Sequence, residues 1–158
     1  SMLIGVDMVK DPALLLAAYD DAAGVTAAFN RNALVHLNRR LGTDFDAAAF
    51  AHRAVWNAAE SRIEMHLVSR RRQLVRIGDE FVSLARGEAI VSEYSHKYTL
   101  ASFAAQARAA GWSVWQIWTD PRRWFSVQQL RPHDRFISGE ARAARTRLLR
   151  PTGNRSPR

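Results

Sequence analysis

Apolar and polar positions change their period twice along this chain. Met2–Asp7 is a short apolar run that closes on an acid. That is the form of a buried parallel strand with a carboxylate at its carboxyl end, where open α/β sheets place their ligands. Asp11-Pro12 then supplies an N-cap followed by proline at the first helical position, and Leu14, Leu15, Leu16, Ala18 and Tyr19 run on toward Gly24 as a stop. A second helix is predicted over Val25–Leu41, with Phe29, Ala33, Leu34, Leu37 and Leu41 on one stripe and Gly42 ending it. Asp46 caps a short helix, with Phe45 and Phe50 at the two positions of a hydrophobic staple.

After Val55-Trp56-Asn57 the period shortens to two. Ile63, Met65 and Leu67 alternate with Arg62, Glu64 and His66. Two further runs, Leu74-Val75-Ile77 and Phe81-Val82-Leu84, are separated by Gly78-Asp79 and closed by Arg86-Gly87. These predict an antiparallel meander that ends in a strand over Val91–Tyr98. Thr99 caps a helix across Leu100–Ala110 with Gly111 past its end, and two strands, Trp112–Thr119 and Phe125–Leu130, flank an Asp120-Pro121 turn. The whole reads as an α+β fold.

The chain has 158 residues, 47% of them apolar, which is enough for a packed core. With no cysteine there is no disulfide framework and no thiolate site, in keeping with a reducing compartment. The first residues lack the basic and apolar regions of a signal peptide, and no apolar run reaches membrane-spanning length, so a cytoplasmic location is expected. Ser1 ahead of Met2 reads as a residue left by tag removal, with Met2 the expected encoded start. The net charge of +8 would suggest nucleic acid, but +6 of it falls from Arg131 onward, in a segment rich in Arg, Pro and Gly. Residues 131–158 are therefore expected to be a flexible basic tail, and the distribution argues against nucleic-acid binding.

The candidate chemistry lies in VSEYSHKY. At period two Val91, Glu93, Ser95 and Lys97 point one way and Ser92, Tyr94, His96 and Tyr98 the other, so neither face is a clean core face. Glu93 and Ser95, about 7 Å apart, can address a small polar ligand, although a solvated sheet face would show the same pattern. The five histidines have no metal-ligand spacing, no serine sits in a nucleophile elbow, and the tryptophans mostly alternate along strands as core residues do. Met65 fits a core gap, and Tyr19 fits helix packing.

Four blocks add a resemblance: LIGVDMVKDPALLLAAYDDAAGVTAAFNRN (Leu3–Asn32), FAHRAVWNAAESRIEMHL (Phe50–Leu67), SEYSHKY (Ser92–Tyr98) and WTDPRRWF (Trp118–Phe125). Together, in this order, they resemble the carboxyl-terminal half of the histidine-specific, S-adenosylmethionine-dependent N-methyltransferases of ergothioneine biosynthesis. The resemblance implies a partial class I (Rossmann-like) sheet from residues 2–10 and 99–130, with an inserted substrate-binding meander and helices over residues 11–98. It implies that Glu93 and Ser95 meet the two imidazole nitrogens of histidine, that Tyr19 helps hold the amino-acid end, and that Met65 lines the ring pocket. The implied reaction is methyl transfer from the sulfonium of S-adenosylmethionine to the α-amine, with no metal.

The departures shape the expectations equally. The glycine-rich cofactor loop and first strands that the family carries have no counterpart here. The chain alone is expected neither to bind S-adenosylmethionine tightly nor to turn over. Histidine or a methylated histidine is the expected ligand, and a second copy or a separately encoded amino-terminal half the expected partner. A truncated or degenerate gene product would account for both chain ends. A non-catalytic protein binding a small amine or amino acid is the rival reading.

Overall fold

The computed structural model describes residues 1–133, so most of the basic tail expected over 131–158 lies outside the described residues. The chain forms two compact units. One joins Ser1–Met8 to the described residues from Tyr98 onward, and the other is Val9–Lys97. Among the described residues the architecture is mixed, with antiparallel sheets and three α-helices, none long and apolar enough to cross a membrane.

In the first unit β1 (Met2–Asp7), β7 (Trp112–Thr119) and β8 (Phe125–Pro132) form one sheet with β8 in the middle. β1 runs antiparallel to β8, and the expected buried parallel strand is instead an edge strand whose Leu3 is exposed. Helix α3 (Leu100–Ala109) starts on a reciprocal capping box between Thr99 and Ser102 and lays Phe103 and Ala107 against Val6 and Leu130. A register shift between Val114 and Gln116 turns the outer half of β7 over. Trp115 and Trp118, expected in the core, are exposed, and Arg131 stacks on the Trp115 ring at 3.6 Å.

In the second unit Asp11 caps α1 (Pro12–Tyr19), and Gly42, in the left-handed region, ends α2 (Val25–Leu41). The expected apolar stripe of α2 is only partly used. Leu34 and the polar Asn30 are buried, whereas Phe29, Leu37 and Leu41 stay exposed. Asp46 caps a single 3-10 turn, Ala47–Ala49, and the staple forms, with the Phe45 and Phe50 rings edge to face at 6.2 Å.

The strands β2 (Phe50–Asn57), β3 (Arg62–Ser69) and β6 (Ala89–His96) make a sheet with β3 central, and β4 (Gln73–Ile77) and β5 (Glu80–Leu84) form a separate hairpin. The expected meander is thus interrupted. The chain leaves β3, makes the hairpin, and returns as β6 to pair with β3 itself. β2 also appears where only a loss of helical period was legible. The hairpin closes the core by adding Val75 and Leu84 to Leu34, Phe50 and Leu67.

The other face of this sheet carries charge. Glu64, 13% exposed, accepts from Asn57 at 3.0 Å and from Arg62 at 2.8 Å, and lies 3.1 Å from His66 Nε2. Hydrogen bonds from Asn57, His66 and Arg62, in that order of size, hold its carboxyl down at about 2. Asp21 is also held at about 2, chiefly by the backbone N–H of Thr26, then by the Thr26 side chain and the backbone N–H of Val25, at the start of α2. A carboxylate whose pKa is lower folded than unfolded stabilises the fold above its unfolded value. That stability is lost as pH falls through the folded one. The thermal midpoint is therefore expected to drop between about pH 4 and about pH 2, and Asp21→Asn with Glu64→Gln should flatten this dependence. An unchanged slope in circular-dichroism melts of the double variant would refute it.

Candidate functional site

β6 carries the two residues expected to face a ligand, but not on an uninterrupted pleat. Met65 opposes Glu93, whereas its neighbour His66 opposes Val91, which leaves Ser92 as the extra residue of a β-bulge. The bulge changes which residues face the helices. Before it, Ile90 lies opposite Leu67; beyond it, Glu93 and Ser95 take that face opposite Met65 and Ile63. Val91 goes to the other side with His66, so the expected shared face of Val91, Glu93, Ser95 and Lys97 holds only from Glu93 onward. Across all three strands the face reads in rows, Trp56–Ile63–Ser95, then Ala54–Met65–Glu93, then His52–Leu67–Ile90.

Ser92, expected to point away from Glu93, is turned by the bulge toward α2. Its Oγ lies 2.6 Å from Asn30 Oδ1 and 2.9 Å from the Met65 carbonyl. The Asn30 amide reaches His52 Nδ1 at 2.9 Å, and His52 Nε2 donates to the Tyr19 carbonyl at 2.7 Å. These partners fix the His52 tautomer, because the asparagine N–H can only donate and the carbonyl can only accept. One partly buried chain of hydrogen bonds therefore runs from the bulge through α2 and β2 to the end of α1. A cavity of about 280 Å³ opens beside it, lined by Asn30, His36, Met65, Ser92 and Glu93, with Phe29 at its apolar side.

Met65 and Glu93 thus belong to this cavity. Tyr19 and Ser95 are not among its lining residues; they meet in the adjoining row, Tyr19 Oη 2.7 Å from Ser95 Oγ. Between them sits a residue that sequence reasoning placed on this face and passed over. Lys97, 2% exposed, donates from Nζ to both hydroxyls at 2.7 Å and lies 4.4 Å from the centre of the Tyr19 ring. Asn30, His52 and Ser92 were missed as well. A polar residue one turn before Leu34, on the buried side of an otherwise apolar helix, was the available signal for Asn30. The other two depend on a strand and a bulge that local pattern did not reveal.

Residues 1–132 match the family model for histidine-specific, S-adenosylmethionine-dependent methyltransferases. The chain belongs to this family. A histidine N-alpha-methyltransferase of Mycolicibacterium smegmatis (strain ATCC 700084 / mc(2)155) is 50% identical over 123 residues, 77% of this chain and 38% of that protein. One from Mycobacterium tuberculosis (strain CDC 1551 / Oshkosh) is 49% identical over 122 residues, again covering 38% of its length. The N-methyltransferase imqF of Aspergillus flavus is 30% identical over 120 residues, 75% of this chain and 32% of its own. The chain therefore spans less than two-fifths of the relatives it matches. S-adenosylmethionine is the family's methyl donor by its description. β1 leads into a proline-started helix without a glycine-rich turn, and the glycines with positive φ, such as Gly24, Gly42 and Gly78, serve helix ends and a hairpin turn.

Proposed function

We propose that this chain is the substrate-recognition part of a histidine N-α-methyltransferase of the ergothioneine type. In this reading residues 11–98 bind the amino acid, and residues 2–10 and 99–130 are a remnant of the methyltransferase core. The observation that carries it is the presentation of Glu93 and Ser95 on one helix-covered face opposite Met65 and Ile63, beside a cavity of amino-acid size. Glu93 accepts from one imidazole N–H, Ser95 bonds the other ring nitrogen, Met65 packs on the ring and Tyr19 stands toward the amino-acid end. The donor supplies an activated methyl group when bound. The part of this chain is to hold the imidazole so that the α-amine is presented in one orientation.

The antiparallel placement of β8 between β1 and β7 supports the reading of the first unit as the closing edge of a class I methyltransferase sheet. The open edge of β1 supports a partner, either a second copy or a separately encoded amino-terminal half. We place the protein in the cytoplasm.

Titration of the chain with histidine and N,N-dimethylhistidine, followed by tryptophan fluorescence, tests the site. Trp56 shares a row with Ser95, two strands and about 10 Å away. Saturable binding that is weakened at least about tenfold in Glu93→Ala is the expected result, with no heat on titration of S-adenosylmethionine. A flat histidine titration would overturn the recognition role, and clear cofactor binding would overturn the division of labour.

A further inference from the structure

The buried ammonium between the two site hydroxyls is unexpected in this chain. Lys10 and Lys97 are the only lysines among 23 Lys and Arg residues, so arginine is its ordinary cation. Yet at the one position where a cation is 2% exposed between Tyr19 and Ser95 the residue is lysine. An ammonium is a compact donor that can reach two oxygens lying 2.7 Å from one another, whereas a planar guanidinium presents its N–H groups as a wide fork.

The hydrogen count at this cluster restricts what it can offer a ligand. Lys97 donates to both oxygens, so both already accept. Two hydroxyl hydrogens remain, and one of them lies between Tyr19 and Ser95. The phenol is the stronger acid and the aliphatic oxygen the better acceptor, so Tyr19 donates to Ser95. Ser95 then has both lone pairs filled, and its own hydrogen is all it has left to give. Were the shared bond reversed, Tyr19 would be the outward donor. One of the four lone pairs stays free in either case; with Tyr19 donating it lies on Tyr19, and Ser95 offers one O–H and no acceptor.

We propose that Lys97 is a positioning residue that makes Ser95 an obligatory hydrogen-bond donor, so that Glu93 and Ser95 together select a ring carrying one N–H and one unprotonated nitrogen. This inference rests on the reading of Glu93 and Ser95 as an imidazole clasp. With Glu93 accepting and Ser95 donating, neutral imidazole fits both ends. A ring with two N–H groups meets a donor at Ser95, and a pyrrole has only a C–H there.

The test compares histidine with pyrrol-2-ylalanine and pyrrol-3-ylalanine, each of which keeps one N–H and replaces the other nitrogen by carbon, in calorimetric titrations of the full chain. The wild-type chain is expected to prefer histidine over the better pyrrole by about tenfold. In Lys97→Met this preference should shrink to about twofold or less, because histidine loses affinity and the pyrrole does not. Ser95→Ala should shrink it equally, and Lys97→Met added to Ser95→Ala should change it no further, since Lys97 acts through Ser95. Ser95→Ala leaves the buried lysine in place, so it reads the same ratio should Lys97→Met fail to fold.

Equal loss of histidine and pyrrole in Lys97→Met would show a merely structural lysine and overturn the inference while leaving the clasp standing. A ¹⁵N-lysine spectrum in which the Lys97 ammonium protons exchange too fast to be seen would overturn it in the same way. A wild-type chain that binds neither histidine nor pyrrole would overturn the clasp, and the inference with it.

Discussion

Glu93→Ala is expected to weaken histidine binding about 10- to 100-fold, the worth of a hydrogen bond from a ring N–H to a carboxylate. The thermal midpoint should stay where it is. Glu93 is exposed, makes no buried contact that its loss would leave unpaired, and sits on β6 by backbone pairing to Met65 alone, so truncation should cost the fold no more than about 0.5 kcal/mol. Glu93→Gln separates charge from geometry. Its carboxamide oxygen still accepts from the ring, so the loss should be smaller than for alanine. Calorimetric titration of the three proteins, with a melt of each, decides the point. Full histidine affinity in Glu93→Ala would remove Glu93 from the site, and a lowered melt would mean that it serves the fold.

That Glu93 and Ser95 were legible in the sequence at all follows from a strand's strict alternation. A carboxylate and a hydroxyl two residues apart must share a side, whatever the strand pairs with. Val91 and Ser92 were misassigned because a bulge leaves no mark in local pattern. It is set by the register with β3, and β3 lies more than twenty residues upstream. The same physics hid β2. FAHRAVWN mixes small, charged and aromatic residues without clean alternation, and becomes a strand by pairing with β3 over its full length. Helices were read closely because their caps are local, as Asp11-Pro12, Gly42 and Thr99 each declare a boundary within a few residues.

The residues that were missed share a different cause. Asn30, His52 and Lys97 are polar groups whose worth lies in partners remote in the chain, Ser92 for Asn30, the Tyr19 carbonyl for His52, and the Tyr19 hydroxyl for Lys97. Nothing in the neighbourhood of each one announces those partners. Tyr19 is held at both ends by this network, its carbonyl by His52 and its hydroxyl by Lys97 and Ser95, so a residue that reads as helix packing is tied to β2 and β6 at once. A site built this way is rigid because its hydrogen-bonding groups are already committed to one another before any ligand arrives.

Rigidity of that face depends in turn on the core beneath its far end, and Phe50→Ala is the substitution expected to damage it most. Phe50 is 1% exposed and gathers Leu34 of α2, Leu67 of β3, and Val75 and Leu84 of the hairpin into one cluster, with the Phe45 ring against its edge. Removing the ring leaves a cavity walled by four separate elements, none of which can move in without breaking its own pairing. The expected cost is about 3–5 kcal/mol, or a fall of roughly 15 °C or more in the midpoint of a unit this size. Phe50→Leu, which keeps most of the volume, should lose much less. Because Phe50 opens β2 only two residues before His52, the damage should reach the site through the row that holds Asn30 and the Tyr19 carbonyl. Histidine affinity should therefore fall in Phe50→Ala below the temperature at which it melts, and hold in Phe50→Leu. A Phe50→Ala protein that melts within a few degrees of wild type in circular dichroism would mean that the hairpin, not the ring, closes this core.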